Sequence, residues 1–157
     1  MNARGTGPIR LLLVDSQLAV RKGLGMRFAL EEDLEVVGEA GDSAEAISLA
    51  RTLHPDVILI DIDSPGGIAL TEALRSSSPR SAVVILTLHD DAATRERATE
   101  AGVAAFVTKH QTEEALLAAI RGAQAARTNE GRHDRTSANR EEEHTNEPDD
   151  MRECRDP

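Results

Sequence analysis

Four short apolar runs in this 157-residue chain end on residues that can do chemistry. The run through Val14 ends on Asp15 and Ser16, and the run through Ile60 ends on Asp61, with Asp63 two residues on. The run through Leu86 ends on Thr87, and the run through Val107 reaches Lys109 just beyond. Two or three carboxylates, a hydroxyl and an ammonium in one crevice suit a hard cation together with a phosphoryl group. Mg2+ is usually held by one or two carboxylates and keeps waters and phosphate oxygens as its other ligands. A carboxylate can also accept a phosphoryl group, giving an acyl phosphate. The Thr87 hydroxyl can then hydrogen-bond the transferred oxygens, and Lys109 can neutralise the charge that arrives with them.

Each residue also has an ordinary use. Asp15 can cap the helix that follows it, Thr87 can be a plain β-branched strand residue, and Lys109 can be a surface lysine. Asp63 can be a loop acid, a further metal carboxylate or a group that directs water onto an acyl phosphate. Asp61 has the weakest ordinary explanation, because it follows four apolar residues on a strand expected to be buried.

These residues meet only if the chain brings the ends of the runs together. Ile9–Val14, Val57–Ile60 and Ala82–Leu86 are continuous aliphatic runs, as in strands buried on both faces of a parallel sheet. Leu34–Ala40 and Val103–Val107 are weaker strands. Amphipathic segments alternate with them over 18–30, 44–53, 68–74, 92–101 and 113–126; in the last, Leu116, Leu117, Ile120 and Ala123 share one face. Asp42 or Ser43, Asp90 or Asp91, and Thr112 stand where helix starts need caps, and Gly102 follows a helix end. Five βα repeats predict one doubly wound α/β domain, whose strand carboxyl ends converge on a crevice.

Composition bounds the rest. Tyr and Trp are absent and Phe28 and Phe106 are the two aromatics, so the core must be aliphatic; Phe106 is expected to be mostly buried. With 28 acidic and 18 basic side chains the net charge is −10, which argues against nucleic-acid or anionic-membrane binding by bulk electrostatics. Residues 128–157 hold 10 acids and 5 bases, a charge of −5, and the rest of the chain carries the other −5. Their only apolar side chains are Ala138, Met151 and Cys154, so the expected division is an extension over 1–8, a folded domain over 9–126 and a disordered charged tail over 127–157. A single cysteine excludes an internal disulfide. No run is long enough for a transmembrane helix, and the chain reads as cytoplasmic. His89 and His110 flank the expected crevice without the spacing of a zinc site, and Gly66-Gly67 gives turn freedom rather than a phosphate-cradling loop.

From Ile9 to Arg121 the chain resembles the response-regulator receiver domain of two-component signalling, most closely receivers that precede a DNA-binding helix-turn-helix. The pieces that carry the likeness are Leu12-Leu13-Val14-Asp15, Val20-Arg21-Lys22-Gly23-Leu24, Val36-Val37-Gly38-Glu39-Ala40 and Pro55-Asp56-Val57-Ile58-Leu59-Ile60-Asp61-Ile62. Pro65-Gly66, Leu86-Thr87 and the stretch from Ala101-Gly102-Val103 to Lys109 complete it, in order and at the family's spacing. The resemblance implies a flavodoxin-like (βα)5 fold, with Asp61 as the acceptor of a phosphoryl group from a histidine kinase. It further implies that Asp15 and Asp61 serve a Mg2+ pocket, that Thr87 is the switch hydroxyl and that Lys109 pairs with the phosphorylated carboxylate. Phe106 falls at the switch aromatic, and the fourth helix, fifth strand and fifth helix form the face that changes for a protein partner or a second copy.

Three departures stand out. Ser16 replaces the family's usual second acid, which predicts weaker Mg2+ binding. The loop Asp63-Ser64-Pro65-Gly66-Gly67 is about two residues short. The polar tail stands where an output domain is expected, so the chain reads as a single-domain regulator that signals through protein contacts and does not itself bind DNA. A degenerate receiver used as a phosphorylation-independent binding module is the alternative. Asp61-Ile62-Asp63 also resembles the Asp-x-Asp pair of haloacid-dehalogenase-type phosphatases; that motif ends the first strand in that family but the third here, so no enzyme activity is expected.

Overall fold

The computed structural model describes residues 7–63 and 66–144, with side chains through Asn129. Five strands and five helices alternate: β1 (Ile9–Val14), α1 (Leu18–Phe28), β2 (Leu34–Ala40), α2 (Ser43–Leu53), β3 (Val57–Asp61), α3 (Gly67–Ser77), β4 (Ala82–Thr87), α4 (Ala92–Glu100), β5 (Ala105–Thr108) and α5 (Glu113–His144). The strands form one parallel sheet in the order β2-β1-β3-β4-β5. Order reverses at β1 and β3, and there the crevice of a doubly wound sheet lies.

The aliphatic runs are buried because both sheet faces are covered. Alternate residues of each strand feed two cores. Leu11, Leu13, Val57, Leu59 and Val84 pack with Phe28 of α1 and with Leu116, Leu117, Ile120 and Ala123 of α5. Leu12, Ile58, Ile60, Val83 and Ile85 pack with Ala46, Ala50, Leu70, Leu74 and Ala98 of α2, α3 and α4. The apolar face read along α5 is therefore the one that is buried. Helix starts follow the caps: Asp42 accepts from the Glu45 N–H and Asp91 from the Thr94 N–H, each at 2.8 Å. α3 begins after Gly66, whose φ of 81° suits glycine. A Cβ at Gly67 would stand 2.6 Å from the Ile62 Cα, so glycine lets α3 start close against the end of β3.

Three expectations need correction. β5 starts at Ala105, because the Val103 N–H still bonds back to the Ala98 carbonyl of α4. Phe106 is only half-buried, packing at the margin of the second core with the Arg95 guanidinium 4.6 Å from its ring centre. The core aromatic is Phe28, at 1% exposure. Finally, the fifth helix, expected over 113–126, continues to His144. The missing apolar stripe argues against packing, not against a polar helix, and no proline interrupts the chain between Pro79 and Pro148.

Chain contacts divide the molecule at Arg127 into Met1–Arg127 and Thr128–Pro157. Arg127 closes the first unit by donating to Asp56 at 2.9 Å. Residues 1–6 of the expected extension, Ser64 and Pro65 of the short loop, and 145–157, with Cys154, lie outside the described residues.

Candidate functional site

Parallel register sets the site. Val14 pairs with Ile60, Asp61 with Leu86, and Thr87 with Thr108, so the ends of β1, β3, β4 and β5 align at one edge. Asp15, Asp61 and Thr87 are buried there at 3%, 9% and 0% exposure, although each is polar. The Lys109 N–H donates to the Thr87 carbonyl at 2.7 Å, which extends the ladder one residue and aims the lysine back across the edge.

Asp61 is bound from two sides. Lys109 Nζ donates to its Oδ2 at 2.8 Å, and the Asp63 N–H donates to its Oδ1 at 2.9 Å. Asp15 and Asp61 line one cleft. Burial pushes Asp15 above the ordinary carboxylate value; the Gln17 N–H opposes this and the Asp61 carboxylate adds to it. Asp15 Oδ1 accepts that Gln17 N–H at 2.8 Å, whereas Asp15 Oδ2 is a buried oxygen with no hydrogen-bond partner. A buried acceptor left in this way costs about 1–3 kcal/mol unless a cation or proton satisfies it. Asp15, Ser16, Asp42, Asp61, Gly66 and Gly67 are among the residues that line a cleft of about 180 Å³ beside it.

Asp63 stands two residues past β3, against Thr87 and Lys109. Its Oδ1 accepts from the Thr87 hydroxyl at 2.6 Å, and its Oδ2 accepts from the Leu88 N–H at 2.9 Å and faces Lys109 Nζ at 3.3 Å. Burial alone would raise its carboxyl, but Thr87, the Leu88 N–H and Lys109 together hold it below the usual range. Burial likewise works against the Lys109 charge, and Asp61 and Asp63 outweigh it, so the ammonium is held above its usual value. The His89 N–H donates to Thr87 Oγ1 at 3.0 Å, and its ring comes within 4.0 Å of Asp63.

All the predicted crevice residues thus share one edge: Asp15, Asp61, Thr87 and Lys109, with Asp63 joined to Thr87 and Lys109. Phe106 lies one strand away, since it pairs with Ile85, and stacks under Arg95, which is itself held by Asp90 at 2.6 Å. Sequence reading missed the Leu88 N–H, a backbone group with no residue signal, and undervalued His89. His110 is exposed and takes no part. Among the described residues no cluster of three or more His, Cys, Asp or Glu side chains is placed to hold a metal.

The family model for the response regulator receiver domain matches residues 11–121. This chain belongs to that family. It is 37% identical over 115 residues to the response regulator GacA of Pseudomonas aeruginosa, covering 72% of this chain and 54% of that protein. It is 36% identical over 116 residues to the nitrate/nitrite response regulator NarP of Escherichia coli, covering 73% and 54%. The receiver therefore spans about half the length of these curated relatives. A two-component response regulator of the LuxR family from Aurantimonas sp. SI85-9A1 superposes with a TM-score of 0.72 at 33% identity, covering 76% of this chain and 87% of the other. The receiver domain of NarL from Mycobacterium tuberculosis gives 0.65 at 32% identity, covering 74% and 98%. The flavodoxin-like receiver fold and the likeness to receivers of LuxR-type regulators are established by these matches.

Proposed function

We propose that this receiver accepts a phosphoryl group on Asp61 from a phosphohistidine of a histidine kinase and passes the change on through protein contacts in the cytoplasm. The observation that carries this reading is the pairing of buried Asp61 with Lys109 beside a buried Asp15 oxygen that lacks a partner. An Asp61 oxygen attacks phosphorus; the P–O bond forms as the P–N bond breaks, and the imidazole leaves with its electron pair and takes a proton. Lys109 offsets the added negative charge, and the Thr87 hydroxyl turns from Asp63 to a phosphoryl oxygen.

The donor set suits Mg2+: two carboxylates, one with an orphaned oxygen, in a cleft open to water. Asp15 and Asp61 would hold the ion, which would supply positive charge to the reacting oxygens. Ser16 adds no carboxylate, so affinity for the ion is expected to be low.

α4 is the element best suited to respond. It buries only Thr94 and Ala98, and it carries the Arg95 that covers Phe106. Movement of Thr87 toward a phosphoryl group would draw on the loop that bears Leu88, His89 and Asp90, loosening the Asp90–Arg95–Phe106 stack. The α4–β5–α5 face is then the surface offered to a protein partner or a second copy. DNA binding in longer relatives belongs to those whole proteins; for this chain the acidic balance favours protein contacts.

Intact mass after incubation with Mg2+ and a small phosphodonor tests the reading. Ser16→Asp is expected to raise the labelling rate about tenfold by restoring a carboxylate to the cation site. Once displaced, Asp63 lies beside the acyl phosphate as a modulator of hydrolysis, and Asp63→Asn should lengthen its lifetime. A second reading, a receiver used without phosphorylation, is favoured by one observation: Asp63 already satisfies Thr87 and Lys109. Absence of labelling in both wild type and Ser16→Asp would select it.

A further inference from the structure

Asp63 is not used by the phosphotransfer described above, yet it is among the most heavily bonded carboxylates of the described residues. Its side chain is 18% exposed, and both its oxygens are engaged. The Thr87 hydroxyl reaches Oδ1 at 2.6 Å, and the Leu88 N–H and Lys109 Nζ reach Oδ2 at 2.9 and 3.3 Å. A hydroxyl, a backbone N–H and an ammonium converging from β4, the loop after it and the residue after β5 make a cradle for an oxyanion. The same Lys109 Nζ is bound to Asp61 Oδ2, and the Asp63 N–H is bound to Asp61 Oδ1. The cradle therefore opens directly onto the carboxylate that would carry a phosphoryl group.

We propose that Asp63 is an internal ligand of this cradle: its carboxylate takes up, in the unphosphorylated chain, the donors that a phosphoryl group on Asp61 requires, and it must leave before transfer. This deepens the assignment of Asp61 as acceptor and rests on it. The short link from Asp61 to Asp63 makes the contact intramolecular, so the competitor is present at high effective concentration whatever the donor concentration. Transfer is then an exchange of one anion for another on Thr87, Leu88 and Lys109. The apparent reactivity of Asp61 falls by the fraction of molecules in which the cradle is free. With both oxygens engaged, Asp63 cannot supply the carboxylate missing at Ser16 without abandoning the cradle.

Amide exchange on the uniformly labelled, unphosphorylated chain tests the contact without any phosphodonor. The Leu88 N–H is expected to exchange about tenfold or more faster in Asp63→Ala than in wild type, because its acceptor is gone. Asp63→Asn keeps an oxygen acceptor but no charge and should give an intermediate rate; it serves equally if the alanine variant folds poorly. Labelling of Asp61 by a small phosphodonor with Mg2+ should be about tenfold faster in Asp63→Ala. Unchanged Leu88 exchange in both variants overturns the inference, even if labelling accelerates, since loss of charge alone would then explain the rate. A Leu88 response with no labelling in any variant supports the internal ligand and overturns the acceptor assignment beneath it.

Discussion

The two ends of the parallel sheet use polar groups in opposite ways. At the amino ends of the strands, Asp56 accepts the Arg10 N–H on one oxygen and Arg127 on the other, both at 2.9 Å. Arg10 also donates to the Leu53 and His54 carbonyls, and Ser81 bonds the Pro55 carbonyl at 2.6 Å and shares a hydrogen bond with Ser78. Each donor named there meets an acceptor, and the result is a clasp that ties the start of β3 to the end of the first unit of the chain. At the carboxyl ends, two carboxylates, Asp61 and Asp63, share the Lys109 ammonium, and a buried oxygen of a third, Asp15, lacks a partner. The lesson is that burial of polar groups alone does not mark function here. The mark is burial with the charges left uneven, since such a site is completed only by something that arrives from solution.

That contrast can be broken most severely at Lys109. Lys109→Met leaves Asp61 and Asp63 without their cation, and denaturant unfolding should show a loss of about 2–3 kcal/mol. Asp61 labelling should fall as well. At the other end, Asp56→Ala removes the acceptor of two donors and should cost about 1–2 kcal/mol, with the labelling rate of Asp61 unchanged. A change in labelling would mean that the two ends are coupled and the division is false.

The smallest expected effect lies at the surface of the amino end, in the loop that leads into β2. Arg121 joins Asp33 and Glu31 to α5, and it lowers the pKa of Asp33 as the chief cause and that of Glu31 after Arg27. A carboxylate whose folded pKa is depressed adds stability above its unfolded value of about 4 and loses it as pH falls through the folded value. The Arg121→Gln variant should therefore melt slightly below wild type near neutral pH and at the same temperature in strong acid. A gap that persists in acid would show that Arg121 acts by packing.

Much of this was legible in the sequence because parallel strands buried on both faces are plain aliphatic runs, and a charge that ends such a run must lie at the sheet's edge. Asp61, Asp15, Thr87 and Lys109 follow from that rule. The Asp63 contacts do not, for they depend on the turn after β3 and on a backbone N–H at Leu88 that any residue would supply. Phe106 was misjudged because size predicts burial, whereas its place on β5 under a single guanidinium leaves it half-exposed. α5 ran past its expected end because helix propensity needs no apolar stripe to extend a polar segment.

The central claim is that the uneven end of the sheet is completed by a phosphoryl group on Asp61. Intact mass spectrometry of the full chain, incubated with Mg2+ and a small phosphodonor beside an Asp61→Asn control, tests it most directly. The account predicts addition of one phosphoryl group to the wild-type chain, dependent on Mg2+, and none to the control. An unmodified wild-type chain, or equal labelling of the Asp61→Asn variant, would contradict it.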